Sequence, residues 1–309
     1  MNKSTIFILI IPPLMWAGNA VIGHYAIDLI PPMLFNFLRW VLVLLILLPL
    51  AAWSLRPGSE LWLHWRRFAV MGFLSVTVYN SLQYLALHTT SPINVTLIAG
   101  SMPVWMIVIG ALFYRTPATL QKFLGAGASM AGVLIVLTQG DLSVLEDLRF
   151  RPGDLYILLA VIGWAIYSWM LSRTTEPKKI RADWAAMLMA QVVFGLIFSA
   201  FVSAGEWAIY PQRIAFEWPV VAVLVFVAIG PAILAYRFWG EGVQRVGPTT
   251  AGFFANLTPL FTALLSSAFL AHYPQTYHLI AFALIVGGIW LSALKSKKRG
   301  VPAKSTTSN

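Results

Sequence analysis

The chain has 309 residues, of which 59% are hydrophobic and 10% charged, against about a quarter charged in an ordinary soluble domain. Too few Asp, Glu, Lys and Arg are available to cover a soluble fold of this size, and the lack of cysteine removes disulfides, thiolate metal ligands and thiol nucleophiles. The net charge of +10 would suggest nucleic acid in a soluble protein, but here the basic residues fall between apolar blocks and form no continuous face, so no nucleic-acid partner is expected.

The apolar blocks are long enough to cross about 30 Å of hydrocarbon at 1.5 Å per residue. They predict spans over 5–25, 32–53, 67–87, 92–113, 120–139, 154–172, 183–203, 218–238, 248–270 and 277–294. Lys3, the run Ile6 to Leu14 and small Ala17, Gly18 and Ala20 resemble a signal peptide. Pro12-Pro13, Trp16 and the similar stretch at 154–172 favour a retained span instead. Proline and glycine punctuate the breaks, as at Pro31-Pro32, Arg56-Pro57-Gly58, Arg151-Pro152-Gly153 and Gly247-Pro248. In lipid each backbone N–H must be bonded within its own segment, so these runs are expected to be helices.

Polar and aromatic residues gather on faces of these helices. In the first span Trp16, Asn19 and Gly23 share a stripe; the second carries Arg39, the deepest charge; the third holds Tyr79, Asn80, Gln83 and Tyr84 within two turns. The fourth aligns Asn94, Ile98, Ser101 and Trp105, and the fifth presents small residues from Gly125 to Gly132 with Ser129. The sixth aligns Trp164, Tyr167, Ser168 and Leu171; Tyr236 lies in the eighth, Thr249 and Asn256 in the ninth, and small residues from Ala281 to Gly288 in the tenth. Single polar residues of this kind commonly bond helix to helix. Several such faces converging are better explained by a polar, aromatic-lined cavity. Arg39 is expected either to bond to carbonyls inside the bundle or to act on substrate or gating, and Arg237 to snorkel toward the inner end of its span.

The sequence repeats. Trp16-Ala17 pairs with Trp164-Ala165 at an offset of 148, and Pro92, Ala99, Pro103, Phe113 and Gly132 pair with Pro248, Ala255, Pro259, Phe269 and Gly288 at 156. This divides the chain into a first five-helix repeat at 1–140, a linker at 141–153, a second repeat at 154–295 and a basic tail at 296–309. Five-helix halves in tandem must be inverted. The charges agree, because one set of connecting segments carries 16 Lys and Arg and the other only Arg149, Arg151 and Arg213. By the positive-inside rule both termini are cytoplasmic in a multi-pass cytoplasmic-membrane protein. Pro103 and Pro259 should remove an N–H from mid-helix and form symmetric bends on which the halves rock.

The paired halves, the Trp-Ala pairs, and the segments Ser91-Pro92…Ser101-Met102-Pro103 and Gly247-Pro248…Leu257-Thr258-Pro259 resemble the EamA-type members of the drug/metabolite transporter superfamily, over roughly residues 4–295. Arg39-Trp40 and Tyr236 also sit where that family places similar residues. The Leu-Gly-Glu that often closes its fourth and ninth spans is replaced here by Phe113-Tyr114-Arg115 and Leu270-Ala271-His272. The resemblance implies an exporter or permease for amino acids or related metabolites, with a central cavity.

Enzymatic motifs and metal-ligand spacings are missing, and no cofactor is expected. The eleven acidic residues fall in loops, first turns or, for Glu241, just past the eighth span, so transport independent of a buried carboxylate is expected. The reading is an alternating-access transporter of neutral or zwitterionic solutes, a monomer sufficing, with a bilayer and a small-molecule substrate as partners. The substrate-binding candidates are Trp16, Asn19, Tyr79, Asn80, Gln83, Tyr84, Trp105, Trp164, Tyr167, Tyr236 and Asn256. A multidrug exporter of the same fold, and a non-transporting receptor or scaffold, are the alternatives.

Overall fold

The computed structural model describes residues 1–23, 29–173, 175–210, 217–269 and 275–294, all helix and short connections without a strand. The basic tail and Leu270-Ala271-His272 lie outside the described residues. Nine helices among those described are long and apolar enough to cross a membrane: Lys3–Ile22, Pro32–Leu55, Trp65–Thr89, Pro92–Tyr114, Leu120–Leu137, Pro152–Ser172, Trp184–Ile209, Trp218–Val246 and Thr276–Ala293. The remaining expected span, the ninth, is divided at Asn256 into Pro248–Ala255 and Leu257–Phe269.

Two helices outrun their expected ends, because the residues beyond the apolar block stay helical. The seventh continues to Ile209, which places Glu206 in its last turns. The Glu206 carboxylate accepts the N–H groups of Met33 and Leu34 at 3.0–3.2 Å, the donors that the start of the second span leaves without an intrahelical acceptor. The eighth continues to Val246, so Glu241 lies inside a helix and not past its end.

Packing follows a pseudo-two-fold plan. The fifth span lies along the tenth and the second along the seventh. The first meets the eighth and ninth, as the sixth meets the third and fourth. Exchanging halves maps the first two pairs onto themselves and the others onto one another, as an inverted repeat requires. Small residues set the closest approaches. A Cβ on Gly288 would stand 2.5 Å from the Gly125 carbonyl oxygen, so the fifth and tenth spans touch backbone to backbone. A Cβ on Gly195 would stand 2.5 Å from that of Val76, where the seventh span crosses the third.

The helices are irregular at symmetric places. The third and eighth spans each contain a wide π-helical turn, at Phe73–Val78 and at Ala228–Leu234, the latter around Pro231. The fourth and ninth are broken, at Gly100-Ser101 and at Asn256. Pro103 and Pro259 therefore stand in the first turn of a new helix, Met102–Tyr114 and Leu257–Phe269, and not in the middle of a bent one. A first-turn proline sacrifices no helical bond. The chain starts a second helix where its N–H ladder would otherwise fail.

Candidate substrate site

At the crossing of the two halves lies a cluster of aromatic rings. Trp164, 1% exposed, touches Trp16, Tyr79, Tyr167, Tyr236 and Trp239 at centroid distances of 4.9–5.6 Å. Trp40 joins through Tyr236 at 5.0 Å. The symmetry-related Trp16 and Trp164 meet edge to face at 83°. The two rings pack on one another, and Trp164 is almost fully buried. Its indole Nε1 is buried without a hydrogen-bond partner. Trp239 and Trp40 belong to this centre and were not among the expected residues. The signal for Trp239 was its place 156 residues after Gln83, on the equivalent helix face.

Three expected substrate ligands are occupied by the protein itself. Asn80 donates to the carbonyls of Ser75 and Val76 at 2.9 and 3.1 Å, and Tyr236 donates its hydroxyl to the Ser75 carbonyl at 2.7 Å. Residues 80 and 236 are repeat equivalents, and both serve carbonyls of the third span's π-turn, where the regular ladder is lost. Asn256, 2% exposed, donates to the Gly100 carbonyl at 3.1 Å and to Ser129 Oγ at 2.9 Å. It thereby ties the break of the ninth span to that of the fourth. Asn94 likewise bonds the Asp154 carboxylate at 3.0 Å and acts as helix glue. Asn19, Gln83 and Trp105 are half-buried, and Tyr84 packs into an apolar cluster at the far end of the bundle.

Arg39, 3% exposed, donates to Asn36 Oδ1 at 2.5 Å and lies over the Trp40 ring. Its expected carbonyl partners are replaced by a side-chain amide, which also accepts from Trp40 Nε1 at 3.1 Å. Its Nε has no partner, and no carboxylate reaches it among the described residues.

Next to the aromatic centre, a cavity of about 220 Å³ opens between the sixth, seventh and eighth spans. Tyr167, Tyr236 and Gln191 form its deep end; Arg181, Arg237 and Glu241 stand nearer the end that carries the basic segments. Gln191 is 2% exposed and its Oε1 is unpartnered, while its amide nitrogen donates to the Met187 carbonyl. Arg237 does not snorkel away: it lies over the Trp184 ring at 4.6 Å and lines the cavity. Glu241 bonds Arg245 one turn on, and Arg181 bonds the buried Glu176, which Arg67 of the third span also holds at 2.6 Å. At the opposite end, Ile30, Phe35, Val220, Val223, Leu224 and Val227 close the bundle with apolar side chains. Of the expected ligands, Tyr167 and Tyr236 border the cavity; Gln191, Arg237 and Glu241 were missed.

Inverted helical repeats in a membrane, with broken helices at the centre and a polar cavity beside them, define a membrane transporter. The chain belongs to the EamA-like transporter family, whose model matches residues 3–138 and again 151–294. Among its relatives, an uncharacterized transporter of Archaeoglobus fulgidus is 23% identical over 96% of this chain and 99% of its own. The uncharacterized transporter YyaM of Bacillus subtilis is 27% identical over 72% and 71%. The uncharacterized inner membrane transporter YedA of Escherichia coli K12 is 23% identical over 91% and 88%. A solved crystal structure aligns with a TM-score of 0.73 at 21% identity, over 95% of this chain and 97% of that one, and so shares the fold.

Proposed function

We propose that this transporter carries small zwitterionic metabolites, amino acids or related compounds, across the cytoplasmic membrane by alternating access, with both termini cytoplasmic. The observation that carries this reading is the composition of the cavity. It presents two guanidiniums, Arg237 and an Arg181 that is paired with Glu176, and one carboxylate, Glu241, that also bonds Arg245, beside the unpartnered oxygen of Gln191. Charges of both signs complement a solute bearing a carboxylate and an ammonium, and tyrosine rings at the deep end favour an apolar side chain over further charge.

The apolar closure opposite the cavity supports an inward-facing state. Reaching the other state requires the aromatic centre to separate, which makes Trp16, Tyr79 and Trp164 ligands of a state in which they part. The symmetric breaks before Pro103 and Pro259 are the places where the backbone turns without breaking a regular ladder. Proton-independent transport rests on the lack of a buried mid-membrane carboxylate; Glu241 lies in the last two turns of the eighth helix, 37% exposed and paired with Arg245.

The test is uptake into liposomes with a panel of amino acids, their amides and their decarboxylated amines. Uptake of the intact zwitterions, lost on removal of either charged group and weakened in Arg237→Gln and Glu241→Gln, is expected. Equal uptake of amines and zwitterions, unaffected by Arg237→Gln, refutes the substrate class. Absence of uptake for all solutes, with binding retained, would favour a receptor.

A further inference from the structure

The bundle carries a second recess, about 530 Å³, between the third, fourth and sixth spans at the end with the basic segments. Its upper rim is cationic and polar: Arg67, Arg173, Thr175 and the Tyr114 hydroxyl. Its lower wall is apolar, with Ile109 and a Phe113 that is 72% exposed. The transport cavity does not use it. Tyr114 stacks on Trp169 at 4.8 Å, and Trp169 Nε1 donates to the Met106 carbonyl at 2.8 Å, so the recess is walled off from the bundle centre and faces outward.

The charges at the rim do not cancel. Arg67 and Arg181 share one carboxylate, that of Glu176. Arg173 lies over the Tyr114 ring at 4.9 Å and forms no ion pair among the described residues. Arg67 and Arg173 line the same recess beside Tyr114, so the two guanidiniums converge on one spot. An exposed Phe113 directly below a cationic rim is a poor surface for water and for a free anion. It suits a molecule with a phosphate at one end and an acyl chain at the other.

We infer that this recess is a binding site for one anionic phospholipid of the inner leaflet, its phosphate held by Arg173 and Arg67 and hydrogen-bonded to Thr175, its acyl chain lying along Phe113 and Ile109. A span end sits at headgroup depth, where anionic lipids are drawn to basic residues. Guanidiniums also bind phosphate oxygens in a fixed, two-pronged geometry. The inference is independent of the transported substrate.

The experiment uses the full chain in neutral detergent, titrated with short-chain phosphatidylglycerol, short-chain phosphatidylcholine and inorganic phosphate in parallel. Binding is read by native mass spectrometry and by the thermal midpoint. Phosphatidylglycerol is expected to bind and stabilise, phosphatidylcholine and phosphate much less. Arg173→Gln should weaken phosphatidylglycerol at least about fivefold, the effect of one cation at a lipid surface. Phe113→Ser should weaken it through the chain without altering charge, and Arg56→Gln on another basic segment should change nothing. Arg173 is exposed, so its variant keeps the fold; its midpoint without lipid checks this. Equal binding of the two lipids, or phosphatidylglycerol binding unchanged in Arg173→Gln, overturns the proposal. Phosphate binding as well as the lipid would instead mark a soluble-anion site and overturn it equally.

Discussion

Asn256 is the residue whose role changed most between sequence and structure, and removing it separates the two readings. As a substrate ligand, Asn256→Ala would raise KM and leave stability alone. As the tie between the two helix breaks it should do the reverse. The side chain is buried and gives two hydrogen bonds, to the Gly100 carbonyl and to Ser129 Oγ. The Gly100 carbonyl loses its helical donor because the Val104 N–H goes to the Ser101 carbonyl instead, at 2.9 Å. In soluble proteins an orphaned buried polar group costs about 1–3 kcal/mol. Interhelical bonds in a membrane average about 0.6 and reach about 1.7 kcal/mol. Losing both bonds should therefore cost about 1–3 kcal/mol, a fall in thermal midpoint of roughly 2–8 °C. The assay is detergent-solubilised protein heated at a fixed scan rate and resolved by size-exclusion chromatography. A double-mutant cycle with Ser129→Ala should return a coupling of about 0.6 kcal/mol or more. A midpoint within about 1 °C of the parent, together with a raised KM, would refute the latch.

Trp164→Ala should cost about 3–5 kcal/mol, because five rings close on a fully buried indole, and the monodisperse yield should fall while Trp164→Phe largely keeps it; a normal yield with altered uptake would return Trp164 to an open site. Gly288→Ala forces a methyl onto the Gly125 carbonyl and should cost about 1–3 kcal/mol, whereas Gly127→Ala, with nothing within 4 Å of its Cβ, should be neutral or better in the same melting assay. Pro103→Ala with Pro259→Ala lets each broken span continue as one helix and should slow turnover more than it lowers folded yield; unchanged turnover would remove the breaks from the transport cycle. With single cysteines at Ser59 and Ser143, an impermeant thiol reagent on intact cells should label only Ser143; labelling of Ser59 alone would reverse the orientation.

The spans and the repeat were legible in the sequence because each rests on a local quantity. The transfer energy of about 20 side chains decides whether a segment enters lipid, and paired prolines eleven residues apart mark equivalent breaks without any knowledge of packing. Hydropathy did not mark the ends of the seventh and eighth spans. The turns that carry Glu206 and Glu241 are polar, and they stay helical because Glu206 caps the second span and Glu241 pairs with Arg245. The first is a contact between segments far apart in the chain; the second is a local i,i+4 pair.

The candidate site divides the same way. The sequence pointed to Trp16, Tyr79, Trp164 and Tyr167 near the centre, since inverted symmetry and helical spacing put them on inward faces, and the family resemblance added Tyr236. Only the tertiary structure decided which polar groups remain free. Asn80, Asn256 and Tyr236 look like ligands on a helix wheel, yet each answers a carbonyl exposed by a π-turn or a break in a helix it touches. Gln191 looks like an ordinary span residue, Arg237 like a snorkelling charge and Glu241 like a residue past a span end, yet all three border the cavity. A side chain's composition sets what it can bond. The rotation and depth of its helix against its neighbours set what it does bond, and these come from packing between segments far apart in the chain.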